Sequence, residues 1–379
     1  MTAQRIADIA LTSVGVSAKT NWLFLELTLD DGSIGTGEAT LHGYEPLIRA
    51  WVDHWRPDLV GRTLDALRDS LPVGRITRAG QAAHAAISAL EQARVDLVAQ
   101  QSAKPLSVAL GLTDPAVVPV YANINRGLTD RAPESFAAHA ARAVGKGYSR
   151  LKIAPFDGVS AQATDGQANE ARLQLGLDRI RAVRGAIGSG DELYVDCHWR
   201  LTPDRAEALL PDLESCGVSW FECPLYEEPR HFSDLARLRR LANDHGMLLA
   251  GAEMEVGVAG FRPFAEIYDV VMPDIKYCGG PDEMLRIAEM AQDLGARVAP
   301  HNPSGPIANA HSVHACAHPG IFLLEFQLDE TPLFDRVVQG AHPAFRHGTA
   351  AAPDAPGLGL ALDREVCGSL PESRILSAS

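Results

Sequence analysis

The sequence predicts an α/β protein built on a parallel barrel of the TIM type, with an α+β domain ahead of it. Two observations carry this. From Val118 to about residue 330, eight short apolar runs recur: "VPVYANI", "RLKIAPF", "ELYVDCH", "VSWFEC", "MLLAGAE", "DVVMPDI", "ARVAPHN" and "IFLLEFQ". Helix-like stretches such as "DRAEALLPDLESCG" and "PDEMLRIAEMAQDLG" separate them, and strands in regular alternation with helices build a parallel sheet. The second observation bears on the competing fold, an open doubly wound sheet. No GxGxxG or GxxxxGK[ST] opens any of the helices, which removes the usual reason for such a sheet to bind nucleotide.

The elements follow in order. In residues 1–115, "IADIALTSVGV" and "NWLFLELTLDDGSIGTGEATL" are strand-like, and "DDGS" is a turn that makes a hairpin. "GQAAHAAISALEQARVDLVAQQ" is alanine-rich and spaced for one apolar helix face. Residues 116–330 hold the eight runs. Residues 331–379, with "GTAAAPDAPGLGLAL", form a segment expected to return and pack on the N-terminal domain.

Composition narrows the function. With 379 residues, 46% hydrophobic and 22% charged, the chain has the make-up of a soluble globular protein of more than one domain. A net charge of −14 with no basic stripe argues against nucleic acid or an anionic membrane as partner. A small anionic substrate is still allowed, because a nearby cation outweighs distant charge. No apolar run approaches the ~20 residues that cross a bilayer, and "MTAQRIADIALTSVGV" lacks a signal-peptide core. The six cysteines form no CxxC pair and read as buried thiols in a reducing compartment, the cytoplasm.

Chemistry in a parallel barrel sits at the C-terminal ends of its strands. Here those ends carry Lys152, Asp196 with His198, Glu222, Glu253, Asp274 with Lys276, His301 and Glu325. One polar residue at a strand end is commonly just a cap. A series on seven strands is different, because converging carboxylates repel and resist desolvation unless a cation lies between them. Asp196, Glu222 and Glu253 lie on three consecutive strands, and an all-oxygen set suits Mg²⁺. Zinc would want more nitrogen or sulfur; His198 is there, but no HxH or HxxxH accompanies it. Glu222 and Glu253 directly end apolar runs, which favours them over Glu227, Glu228 and Glu255, with Glu255 in reserve. His198 stands two residues after Asp196, so strand alternation turns it to the same cavity. His311, His314 and His318 have the spacing of a helix face and are not read as ligands.

The motifs "LKIAP", "YVDCH", "WFEC", "AGAE", "PDIKYCGG", "APHNPSGP" and "LLEF", in this order, resemble those of the enolase superfamily in its mandelate racemase subgroup. The resemblance spans nearly the whole chain. It implies a (β/α)7β barrel under an α+β capping domain that the C-terminal segment completes. Capping loops near 15–25 and 40–50 would set substrate choice, with Trp22 and His42 there as substrate contacts; a lone loop histidine is otherwise simply solvated. It also implies a homo-oligomer, a dimer or an octamer, and a Mg²⁺-dependent removal of the proton next to a carboxylate.

Members similar to mandelate racemase carry Lys-x-Lys on the second strand, whereas this chain reads Lys152-Ile153-Ala154. Lys152 matches the first lysine, which holds the substrate carboxylate, and the second base is missing. Asp274 and His301 match the opposite dyad, in which the aspartate orients the imidazole base. Glu325 would donate a hydrogen bond to the carboxylate if protonated, or otherwise orient a neighbour. Asp-x-His-x-Arg (Asp196, His198, Arg200) is similar to the pattern in sugar-acid dehydratases of the galactonate and mannonate type. His198 is then the general acid for the departing hydroxyl, with Arg200 as a substrate contact, and the product is a 2-keto-3-deoxy acid. Lys276 is either an ion-pair partner of Asp274, or a substrate contact or second base. The last role would restore a racemase or epimerase reading; a catalytically silent binding protein is the third.

Overall fold

The computed structural model describes residues 4–17, 19–70, 80–112 and 117–370; the expected domain boundary at 115/116 and the chain's last residues, 371–379, lie outside these. The N-terminal strands β1 (Ile6–Ser17), β2 (Thr20–Leu29) and β3 (Ile34–Glu38) form an antiparallel sheet. "DDGS" is the β2–β3 turn. There Gly32 takes φ +86° and donates to the Leu29 carbonyl, a conformation glycine adopts without Cβ strain.

Helices α1 (Glu45–Leu59), α2 (Leu64–Ser70) and α3 (Gln81–Gln101) cover the sheet, followed by the short α4 (Leu106–Ala109). Gly37 lets β3 lie against α3, since a Cβ there would stand 2.1 Å from the Ala89 carbonyl oxygen. The sequence predicted one apolar face for α3, but the helix is buried nearly all round. Its polar side chains are sunk and paired: Gln92 donates to the Ile275 carbonyl, Ser88 accepts from Gly279 N, and Arg94 bonds Glu91. That second face seats the capping domain on the barrel.

The barrel runs β4 (Val117–Asn123), α5 (Pro133–Gly145), β5 (Arg150–Ile153), α6 (Gly166–Ile187), β6 (Glu192–Asp196), α7 (Pro203–Ser215) and β7 (Val218–Glu222). It continues through α8 (Phe232–Asp244), β8 (Leu248–Gly251), α9 (Gly257–Ile267), β9 (Val270–Val271), α10 (Pro281–Asp293), β10 (Arg297–Val298), α11 (Pro306–Ala315) and β11 (Leu324–Gln327). Each of the eight apolar runs holds one strand. Neighbours from β4 to β10 pair in parallel, β11 pairs β4, and a Val298–Ile321 bridge closes the ring.

The C-terminal segment adds β12 (Val338–Gly340), β13 (Ala344–Arg346), β14 (Thr349–Ala351), β15 (Leu360–Leu362) and α12 (Arg364–Ser369). It packs on both domains. Leu358, Leu360 and Leu362 join Val14, Trp22 and Phe24 of the capping sheet in one apolar cluster, while β14 pairs antiparallel with β4.

Candidate active site

Strand ends gather the polar residues, but several lie past the last paired residue. Lys152 and Glu325 sit inside β5 and β11, and Asp196 and Glu222 close β6 and β7. Glu253, Asp274 and His301 follow the ends of β8, β9 and β10 by two or three residues. All of these carboxylates and Lys152 are buried.

Asp196, Glu222 and Glu253 offer oxygens that all lie within 4.8 Å of one another. Neither Glu227 nor Glu255 joins them. Burial, then the negative charges of Asp196 and Glu222, push the Glu253 carboxyl well above its usual range, and Glu253 Oε2 is buried without a hydrogen-bond partner. Burial likewise raises Glu222 to about 8 against the pull of Lys152. Three buried carboxylates this close are a frustrated arrangement that a hard cation relieves; the oxygen-only donor set fits a divalent ion of that class.

Lys152 Nζ stands 2.6 Å from Glu222 Oε1 and 2.9 Å from Glu325 Oε1. Glu325 also accepts from Asn123 Nδ2 (2.6 Å) and from Asn302 N (2.9 Å). Burial pushes Glu325 up, yet the Lys152 charge with these two donors outweighs it and leaves it below the usual carboxylate range. Glu325 accepts from the Asn302 backbone and faces Lys152, an arrangement that orients both.

His301 Nδ1 lies 2.8 Å from Asp274 Oδ2, and its Nε2 3.5 Å from Glu253 Oε2. Burial lowers His301 in spite of Asp274, so the ring is neutral. Donation from Nδ1–H to the aspartate leaves the Nε2 lone pair towards the carboxylate group. Burial alone would raise Asp274, but Lys276 and His301 hold it well below the usual range. Lys276 Nζ reaches the same Asp274 Oδ2 at 2.7 Å and Ser304 Oγ at 2.6 Å.

His198 reaches Asp196, with Nε2 2.8 Å from Oδ2 and an imidazole 43% exposed. The route differs from the strand alternation expected. β6 stops at Asp196, and His198 and Trp199 take φ +47° and +56°, a left-handed turn held by the bond from His198 N to Asp196 Oδ1. The Asp196 charge raises the His198 imidazole, favouring its proton-donating form.

Three expected substrate contacts lie elsewhere. Arg200 donates to the Phe156 carbonyl (2.7 Å) and lines a cleft with Ser160, Asn169 and Thr202. Its guanidinium joins the chain after β5 to that after β6. Residues 15–17 and 20–25 belong to β1 and β2, the strands of a hairpin, and Trp22 is buried against Phe24 and Phe334. Trp22 does line a cavity of about 230 Å³ with Ser304 and Gln327. His42 is exposed on a turn. The hairpin end still meets the barrel, since Thr20 bonds Glu330 and accepts from Arg126 Nη1 at 3.1 Å.

Asn123, Ser304 and Asn302 were missed because a search for titratable strand ends passes over neutral amides and hydroxyls. Asn123 ends β4, the one strand without an ionisable terminus, and that position was its only signal. His311 and His314 are buried on α11 as neutral rings, with His311 Nε2 at the Thr36 carbonyl and His314 Nδ1 accepting from Ser107 N; His318 lies beyond the helix.

Residues 2–111 match the family model for the mandelate racemase/muconate lactonizing enzyme N-terminal domain, and residues 135–366 match that for the enolase C-terminal domain-like region. The chain belongs to this enolase superfamily of enzymes. Among similar curated proteins, this superfamily member is 26% identical to a D-galactonate dehydratase family member of Streptomyces bingchenggensis, over 96% of this chain and 92% of that one. It is 28% identical to a D-xylonate dehydratase of Haloferax volcanii, over 94% and 87% respectively. Its fold matches the crystal structure of the 3,6-anhydro-D-galactonate cycloisomerase of Zobellia galactanivorans with a TM-score of 0.83 at 24% identity, covering 96% of this chain and 98% of that one.

Proposed function

We propose that the protein is a hydro-lyase that removes water from a sugar acid, with Mg²⁺ as its cation, to give a 2-keto-3-deoxy acid. The observation that carries this is the placing of two histidines of opposite character at two corners of the carboxylate group. His301, neutral, lies against Glu253, and His198, raised by Asp196, lies against Asp196 itself. Dehydratases among the similar proteins support the same reading.

A divalent ion held by Asp196, Glu222 and Glu253 would supply the positive charge that makes the proton next to a carboxylate acidic. Lys152, already facing this group, offsets the negative charge that develops on the substrate carboxylate. His301 Nε2 takes the C2 proton. The electron pair of that C–H bond first delocalises into the substrate carboxylate, a charge that can be reprotonated at C2. It then forms the C2–C3 double bond as the C3–oxygen bond breaks, and His198 gives its proton to the departing hydroxyl, which leaves as water. Ketonisation of the enol completes the product.

Lys276 bears on the racemase alternative. It is tied to Asp274 and Ser304, on the side of the site where His301 already stands, so it does not furnish a base for the opposite face. The test is a screen of aldonic and aldaric acids with Mg²⁺ for 2-keto acid formation, repeated in D₂O. Recovery of both C2 epimers without a keto acid would overturn the dehydratase reading.

A further inference from the structure

Outside the residues assigned above, one carboxylate holds the backbone of the site together. Glu227, in the segment between β7 and α8, turns back towards the barrel, and its Oε1 accepts from Ala252 N at 2.6 Å and from the Tyr268 hydroxyl at 2.8 Å. These partners follow the end of β8 and precede β9, elements that Glu227 itself does not belong to.

The residues beside the three clustered carboxylates share an unusual backbone. Trp199, three residues after Asp196, Cys223, directly after Glu222, and Ala252, directly before Glu253, have φ of +56°, +44° and +66°, left-handed values that residues with a Cβ adopt at a cost. Such conformations persist only where surrounding contacts over-determine them. Glu227 supplies such contacts. It bonds the amide of Ala252, and the Cys223 thiol lies 3.9 Å from its Oε1. Gly251 leaves the room, for a Cβ there would stand 2.3 Å from Glu227 Oε1.

We infer that Glu227 is a positioning residue for the cation site: by fixing the left-handed backbone at Ala252 it aims Glu253 at Asp196 and Glu222. The inference rests on the proposed cation site. Glu227 touches neither cation nor substrate. It acts through hydrogen bonds accepted by one oxygen, so an amide oxygen in the same place serves equally.

Mn²⁺ alone is the probe, titrated into the full-length protein by electron paramagnetic resonance or calorimetry, with the melting temperature of each cation-free protein measured alongside. Glu227→Ala is expected to bind Mn²⁺ roughly tenfold or more weakly, as loss of an outer support usually does. Glu227→Gln is expected to restore affinity to near that of the parent. Tyr268→Phe, which removes one anchor and keeps the ring, is expected to weaken binding several-fold, and it decides the matter if Glu227→Ala does not fold. Unchanged affinity in Glu227→Ala or, failing that, in Tyr268→Phe overturns the inference, as does a Glu227→Gln protein as weak as the alanine variant. A parent protein that binds no Mn²⁺ would instead overturn the cation site itself.

Discussion

Lys276 and His301 share one oxygen: Asp274 Oδ2 receives the ammonium at 2.7 Å and the imidazole Nδ1 at 2.8 Å. Lys276 therefore neutralises the aspartate that orients the base. Replacing Lys276 with methionine is expected to lower turnover by about tenfold or less while C2 proton exchange into D₂O persists. His301→Asn should remove both turnover and exchange, a loss on the order of 10²- to 10⁴-fold for a general base. Loss of exchange in Lys276→Met would make the lysine a base.

His198 is held by its own loop and half-open to solvent. His198→Asn is expected to abolish keto-acid formation by about a hundredfold or more, the usual scale for a general acid, and to leave measurable C2 exchange. Deuterium incorporation into recovered substrate, followed by NMR, separates the two. Loss of exchange along with turnover would remove His198 from the acid role.

Glu253 is the carboxylate without a hydrogen-bond partner at Oε2. Glu253→Gln is expected to leave the cation-free protein about as stable as the parent, because the amide replaces a carboxyl that burial already raises well above its usual range. The rise in melting temperature with Mg²⁺ should vanish. In the parent, Mg²⁺ at a hundred times its dissociation constant stabilises by about 2.7 kcal/mol, several degrees in a thermal scan.

The same groups set the pH dependence of cation binding. Burial raises Glu222 to about 8 and holds Glu253 well above its usual range, so the cation-free site binds protons more readily than free carboxylates do. Binding must expel those protons, and affinity is expected to rise as pH rises towards 8. Calorimetry in two buffers of different ionisation enthalpy should register proton release.

His311 and His314, far along α11, govern acid stability. Burial lowers them to about 3 and about 4, below the ~6.5 of an unfolded histidine. Their stabilising contribution is present above that unfolded value and is lost as pH falls towards the folded ones. At pH 5 each is expected to cost about 2 kcal/mol relative to pH 7.5, at about 1.4 kcal/mol per pH unit. Chemical denaturation at the two pH values, with His311→Gln for comparison, checks this; a parent that loses no more stability than the variant between pH 7.5 and pH 5 would contradict it.

The sequence by itself determined the eight-stranded barrel, its order and the strand end that each chemical residue closes. Apolar runs of strand length and the polar residues that terminate them are local signals, and Asp196 and Glu222 could be placed because β6 and β7 run right up to them. Tertiary structure decided what lies beyond the last paired residue. β8 stops at Gly251 and β6 at Asp196, so alternation no longer says where Glu253 or His198 points. There the direction comes from left-handed turns and from hydrogen bonds between residues distant in the chain, such as Glu227 with Ala252 and Asp274 with His301. The packing of α3 and α11 is a second case. Their polar residues read as solvated faces until another domain covers them and satisfies each group, as the Thr36 carbonyl does for His311. Periodicity encodes the face a residue takes, whereas its partner depends on which element the fold brings opposite.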